Sequence, residues 1–152
     1  CYIICVYMKI KVELDGRDFI EVQCQGEDPQ APGAVEKVSI MGCSQFMDMM
    51  QTMRKHFGAD LKKWPLPEGQ DHSSLLLREM ILKLRGEWVF PYQDEELCHC
   101  RSVAAHTVDQ AVIAGAHTTE VVSRQTNAST NCGTCRPEVQ KIIDFRLGKK
   151  TA

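Results

Sequence analysis

A basic excess is the first thing this 152-residue chain lacks: its formal charge is -2 and its sequence pI about 6.2. Without a cationic surplus or a block of like charge to face phosphates, nucleic acid is not an expected partner. Long hydrophobic runs are missing too. The apolar opening "CYIICVY" falls far short of the roughly 20 residues that span a bilayer, so it reads as a strand or as a segment upstream of a natural start at Met8, and no membrane is expected. No charged front with an apolar centre marks a secretory leader. The eight cysteines are therefore expected in a reducing, cytoplasmic compartment and not in a secreted disulfide framework. A lipid-modified Cys1 is disfavoured because bulky, β-prone residues follow it where a polar tether is needed. With no nucleophile-base set and no dinucleotide-binding loop, the chain is not expected to be an enzyme. Internal repeats and low-complexity segments are absent.

What is present begins with alternation. From Met8 to Gln25 apolar and polar residues alternate around "LDGRD" (Leu14 to Asp18), which predicts a hairpin, and "AVEKVSIMG" predicts a third strand. Ser44 is placed to cap a helix whose Phe46, Met49, Met50, Met53 and Phe57 recur at helical spacing, with Gly58 to end it. Methionines at that spacing read as core packing. After the proline-punctuated loop "WPLPEGQDHSS", Leu75 to Arg85 predicts a second helix closed by Gly86. The first part is therefore an α+β unit, a small antiparallel sheet with packed helices, spanning 1–93 or starting at Met8. Residues 94–152 read as short helices: one opened by a Thr107/Gln110 capping box and ended by Gly115, one capped by Thr118, and one starting at Pro137 with a stripe of Val139, Ile142, Ile143 and Leu147. Val108, Val112, Val121 and Val122 supply the inward faces of the first two.

Four cysteines stand out in that last part. Cys98 and Cys100 flank His99, Cys132 and Cys135 flank Gly133 and Thr134, and just over thirty residues separate the pairs. An interval of two short helices brings its ends together, so both pairs can meet at one centre. Soft thiolates in a set of four select zinc or an iron-sulfur cluster. A C-x-C pair suits one iron of a two-iron cluster, leaving the second pair for the other. The charge near -2 on such an oxidised centre needs donors around it: Gly133 lets the backbone approach, the helix starting at Pro137 points its positive end toward Cys135, and Arg101 and Arg136 lend charge support. With four thiols to complete the site, His99, His106 and His117 are expected to face solvent or cap.

The run from Cys98 through "CHCRSVAAHTVDQAVIAGAHTTEVVSRQTNASTNCGTCRPEVQKIIDF" resembles the bacterioferritin-associated ferredoxin-like (BFD-like) 2Fe-2S domain. The resemblance implies an all-α helix-turn-helix unit with a 2Fe-2S cluster as cofactor, held by Cys98, Cys100, Cys132 and Cys135. Where such domains have a glycine-rich "TGAGT", this chain has "TNASTN", Thr126 to Asn131. Asn127 can still take a left-handed backbone there; Ser129 is the larger departure.

The front of the chain more faintly resembles the IscU/NifU scaffold domain. "IMGCSQFMDMM" supplies Cys43 and "PLPEGQDHSS" supplies His72, but Ser73 stands where a later cysteine is expected, and a serine hydroxyl ligates iron poorly. These three are vestigial scaffold positions, and Cys24 does not replace the missing thiol. The arrangement resembles a shortened NifU and allows a homodimer. The expected function is one-electron transfer to an iron-handling or cluster-assembly partner. The alternatives are an assembly protein or carrier that passes on a cluster, and a structural zinc module for protein interaction.

Overall fold

The computed structural model describes residues 6–28, 30–98, 101–128, 130 and 133–148. It is an α+β protein with a small antiparallel sheet and, among the described residues, five α-helices. Two compact units result: Cys1–Gly69 with Leu76–Trp88, and Gln70–Leu75 with Val89–Ala152. None of the helices is long and apolar enough to cross a membrane, among the described residues.

In the first unit the alternating stretch forms β1 (Tyr7–Leu14) and β2 (Asp18–Gln25), and β3 (Val35–Met41) adds to β2 in the order β1-β2-β3. The hairpin closes tightly, with the Arg17 N–H donating to the Leu14 carbonyl at 2.9 Å around Gly16 at φ 72°. Only a residue without a Cβ takes that left-handed turn cheaply. Alternation then sets the faces: Asp18, Ile20, Val22 and Cys24 of β2 are all buried, as a period of two requires.

Helix α1 (Ser44–Phe57) buries Phe46 and Met50, half-buries Met49 and Met53, and leaves Phe57 46% exposed, so its core stripe is narrower than the spacing predicts. Ser44 does not cap it. Cys43 holds the cap position because its N–H is taken by the buried Asp18 carboxylate at 2.9 Å, which fixes the chain one residue upstream. A 3-10 turn at Leu61–Lys63 follows, tied to the chain beyond α2 (His72–Leu84) by Arg85, whose guanidinium donates to the carbonyls of Lys62 and Trp64 at 3.0 and 2.7 Å. Gly86 ends this helix at φ 71°, and a Cβ there would stand 2.1 Å from the Gln30 carbonyl oxygen. The start of α2 lies three residues before the expected one, because the Asp71 carboxylate accepts from both the N–H and the hydroxyl of Ser74, at 3.1 and 2.8 Å. A capping side chain outside the apolar pattern sets this boundary.

The second unit holds α3 (Ala105–Ala114), α4 (Thr119–Thr126) and α5 (Arg136–Arg146), preceded by a short antiparallel ladder of β4 (Glu96–Cys98) and β5 (Val103–Ala104) that the helical pattern does not announce. The ladder displaces the expected Thr107 cap. Strand β5 runs straight into α3, and the Ala105 N–H is satisfied by the Glu95 carbonyl at 2.8 Å, so no threonine hydroxyl is needed and Thr107 sits inside the first turn. The Thr118 cap is present, accepting from the Val121 N–H at 3.2 Å, and Pro137 sits in the opening turn of α5. Phe90 packs edge-on against Phe145 with ring centroids 6.1 Å apart, and Tyr92 also packs on this unit's core. The last crossing from the first unit falls at Trp88/Val89, where the loss of apolar pattern alone suggests Gln93.

Across this core Val108, Val112, Val122, Val139, Ile142 and Ile143 are fully enclosed, and the helices α3 and α5 are joined by a buried two-pronged ion pair. Arg146 donates through Nε and Nη2 to the two Asp109 carboxylate oxygens at 2.6 and 2.5 Å. Removing one partner strands a charge in a low-dielectric interior. Arg146→Ala is expected to cost about 3–5 kcal/mol in urea denaturation, whereas the double change Asp109→Leu with Arg146→Met recovers most of it.

Candidate metal centre

Two short segments carry the cysteine pairs, and each is shaped by the backbone around it. In the first, Cys98 is the last residue of β4 and pairs with Val103 across the ladder. The residue as a whole is 1% exposed. The turn that joins the strands includes the exposed Arg101 and Ser102, the latter at φ 52°. Cys100 and His99 lie outside the described residues.

In the second, α4 ends at Asn127, whose φ of 67° is the left-handed backbone expected of it, with its N–H donating to the Ser123 carbonyl at 2.9 Å. Threonine hydroxyls then stitch the loop. Thr126 donates to the Val122 carbonyl at 2.7 Å and accepts from the Ala128 N–H at 3.2 Å; Thr130 donates to the Asn127 carbonyl at 2.8 Å. Ser129, Asn131 and Cys132 lie outside the described residues. Beyond them Gly133 is left-handed at φ 71° with open space where a Cβ would be, and Cys135 occupies the N-cap of α5. The amides of Glu138 and Val139 donate to the Cys135 carbonyl, each at 3.1 Å.

The two segments meet. Arg101 donates through Nε to the Thr130 hydroxyl at 3.1 Å, and Cys98 and Cys135 belong to one buried apolar set. Among the described residues neither thiol takes part in a disulfide. Electrostatics around them are mixed. Burial, then the charges of Asp94, Glu138, Cys135 and Glu96, raise the Tyr92 phenol above its ordinary range, while its hydroxyl donates to the Glu96 carbonyl at 2.9 Å. A backbone hydrogen bond holds Glu120 below the usual carboxylate range against the opposing effect of burial, with the Thr118 and Thr119 hydroxyls and the charge of exposed Arg136 adding to it. Of the other two histidines of this part, His106 is exposed, and His117 is half-buried with its Nε2 enclosed and lacking a hydrogen-bond partner among the described residues.

The scaffold positions fall in different units. In the first, the Sγ of half-buried Cys43 lies 3.9 Å from Asp18 Oδ2, while Asp18 Oδ1 accepts the Cys43 N–H. Gly42 makes room for this, since a Cβ there would be 2.6 Å from the Asp18 carboxylate. Asp18 reads in the sequence as a turn residue; the signal that marks it is an acid on the inward register of β2. Cys24 is fully buried in the same unit, donates weakly to the Met8 carbonyl, and has its thiol pKa raised by burial against the lowering charge of Lys62. In the second unit His72 opens α2, and the buried Ser73 hydroxyl lies 3.4 Å from its Nε2. A cavity of about 470 Å³ in the first unit, lined by Val38, Ile40, Met50, Leu61, Trp64 and Arg54 among others, includes none of these residues.

The donor chemistry of the second unit suits a soft metal centre. Two buried thiols, a helix N-terminus behind one of them, and an open left-handed glycine between the second pair are what thiolate ligation of a charged cluster requires. Residues 97–144, about a third of the chain, match the family model of the BFD-like 2Fe-2S binding domain, a family that binds a 2Fe-2S cluster. That stretch takes in all four cysteines of the two pairs. No curated protein and no solved structure matches the chain.

Two expectations follow from the environments outside this match. Burial works to raise the Asp71 carboxyl, but the bonds from Ser74 outweigh it and hold its pKa below the ordinary 3.8. Its cap therefore stabilises α2 above that range and loses its effect as pH falls through the lowered value. Asp71→Ala should cost about 1 kcal/mol at pH 6 and clearly less at pH 3, measured by urea denaturation. At pH 8 iodoacetamide should modify Cys43 well before the buried Cys24, as followed by peptide mass spectrometry.

Proposed function

We propose that Cys98, Cys100, Cys132 and Cys135 hold a resident 2Fe-2S cluster and that the protein carries single electrons to an iron-handling or cluster-assembly partner in a reducing, cytoplasmic setting. The observation that supports this most is the burial of Cys98 and Cys135 in one core, at the ends of segments joined by Arg101 and Thr130, within the stretch matched by the 2Fe-2S family. Bound there, the cluster supplies a centre that accepts and gives up one electron. The chain supplies its surroundings. The N-terminus of α5 starts at Cys135 and would set its positive end beside that thiolate, left-handed Gly133 leaves open space for close approach, the apolar set around Cys98 would limit water, and Arg101 and Arg136 would offset negative charge. In this reading the protein is a carrier and not an enzyme.

A second reading, cluster assembly or transfer in the manner of a NifU-like protein, is favoured by the thiol and carboxylate that Cys43 and Asp18 place side by side in the first unit. Lability separates the two. A centre that survives repeated reduction and oxidation supports the electron carrier; rapid loss to a cluster-free acceptor supports the transfer protein.

Protein purified without oxygen should contain two irons and two sulfides per chain and give an electron paramagnetic resonance signal on reduction. Cys132→Ser or Cys98→Ser should abolish the visible spectrum, and Cys43→Ser should leave it unchanged. Zinc in place of iron, with no visible absorption, would sink both readings.

A further inference from the structure

We infer that Arg101 and Thr130 act as a latch that positions the two cysteine-bearing segments against each other, a role distinct from lending charge to the cluster; the inference rests on the cluster reading above. Three features carry it. The first is direction. Thr130 has one hydroxyl proton and two lone pairs; the proton goes to the Asn127 carbonyl at 2.8 Å and a lone pair receives Arg101 Nε at 3.1 Å. The relay thus runs from the turn between β4 and β5, through a side chain, to the backbone that ends α4.

The second is where the relay ends. Asn127 is left-handed at φ 67°, and its carbonyl also receives the Thr130 N–H at 3.4 Å, so the latch grips the residue that turns the chain out of α4 toward the second pair. The third is sequence. The two threonines of the glycine-rich "TGAGT" pattern are kept as Thr126 and Thr130, both engaged, while Asn127 and Ser129 stand where its glycines would give the backbone freedom. A loop without that freedom needs other means to keep its geometry, and a cross-segment hydrogen bond 29 residues apart in sequence supplies one. Arg101 contributes Nε, a donor in a fixed planar fork that lysine does not have.

Position and charge are separable by substitution. Thr130→Val removes the acceptor and leaves the Arg101 charge; Arg101→Lys keeps the charge and loses the fork; Thr130→Ser keeps the hydroxyl. The readouts, on the full chain with its cluster, are the rate of cluster loss to a chelator, the visible circular dichroism and the reduction potential. Thr130→Val and Arg101→Lys should each speed cluster loss by about threefold to tenfold, the effect of one net hydrogen bond, and should alter the circular dichroism. Thr130→Ser should behave as wild type, and the double variant should be no faster than Thr130→Val alone, because that change already removes the bond to Arg101 together with the hydroxyl's bond to Asn127. Wild-type loss rates in both Thr130→Val and Arg101→Lys, with only Arg101→Gln shifting the reduction potential, would reduce Arg101 to a charge and overturn the latch. A wild-type protein devoid of iron and sulfide would instead bring down the cluster reading and the latch with it.

Discussion

The arrangement of the second unit depends on how α5 is fixed against α3. Helix α3 leaves the ladder that ends in Cys98, and α5 starts from Cys135, so the seating of one helix on the other governs both described thiols. Apolar packing through Val108, Val112, Val139, Ile142 and Ile143 drives that seating but is tolerant of small slides. The Asp109–Arg146 pair is not tolerant. Two charge-assisted bonds in a planar fork are satisfied in one register only, and in a buried setting a slipped register leaves charges unmatched. Hydrophobic burial holds the helices together; the ion pair selects how.

The first unit solves a comparable problem with a single carboxylate. Asp18, buried at the start of β2, receives the amide of Cys43 and so ties the hairpin to the start of α1. Burial of an acid is affordable only where donors meet it, and Gly42 supplies the close approach that lets this happen. The same carboxylate stands beside the Cys43 thiol, so a residue that shapes the fold also sets the polarity around a reactive group.

Periodicity made the sheet and the helices legible. The hairpin, the third strand, the Thr118 cap, the Gly58 and Gly115 ends and the stripe of α5 all follow from local pattern and turn chemistry. What local pattern did not reveal was set by partners distant in sequence or by side chains outside the apolar repeat. The Asp18 carboxylate moved the cap from Ser44 to Cys43, Asp71 started α2 early, and a ladder of five residues in two strands replaced the expected Thr107 cap. At the candidate centre the cysteine spacing was plain in the chain, and Asn127 took the backbone its chemistry allows. The Arg101–Thr130 bond was not legible, because a hydroxyl in a loop has no period and its donor comes from another loop. Asp18 stayed hidden because an aspartate after "DG" reads as a turn until the register of β2 is known.

Helix α2 has one further consequence. Its first turn is grouped with the second unit and the rest of it with the first, yet it is one unbroken helix from His72 to Leu84. No single break in the chain can then release both units intact. A nick after Trp88 separates Leu75 from the apolar set of Leu97, Val103 and Val139 that it belongs to, and a nick before Gln70 takes Leu76, Leu77, Met80, Ile81 and Leu84 away from the first unit. For limited proteolysis or for expression of isolated halves, neither unit corresponds to one continuous stretch of the chain.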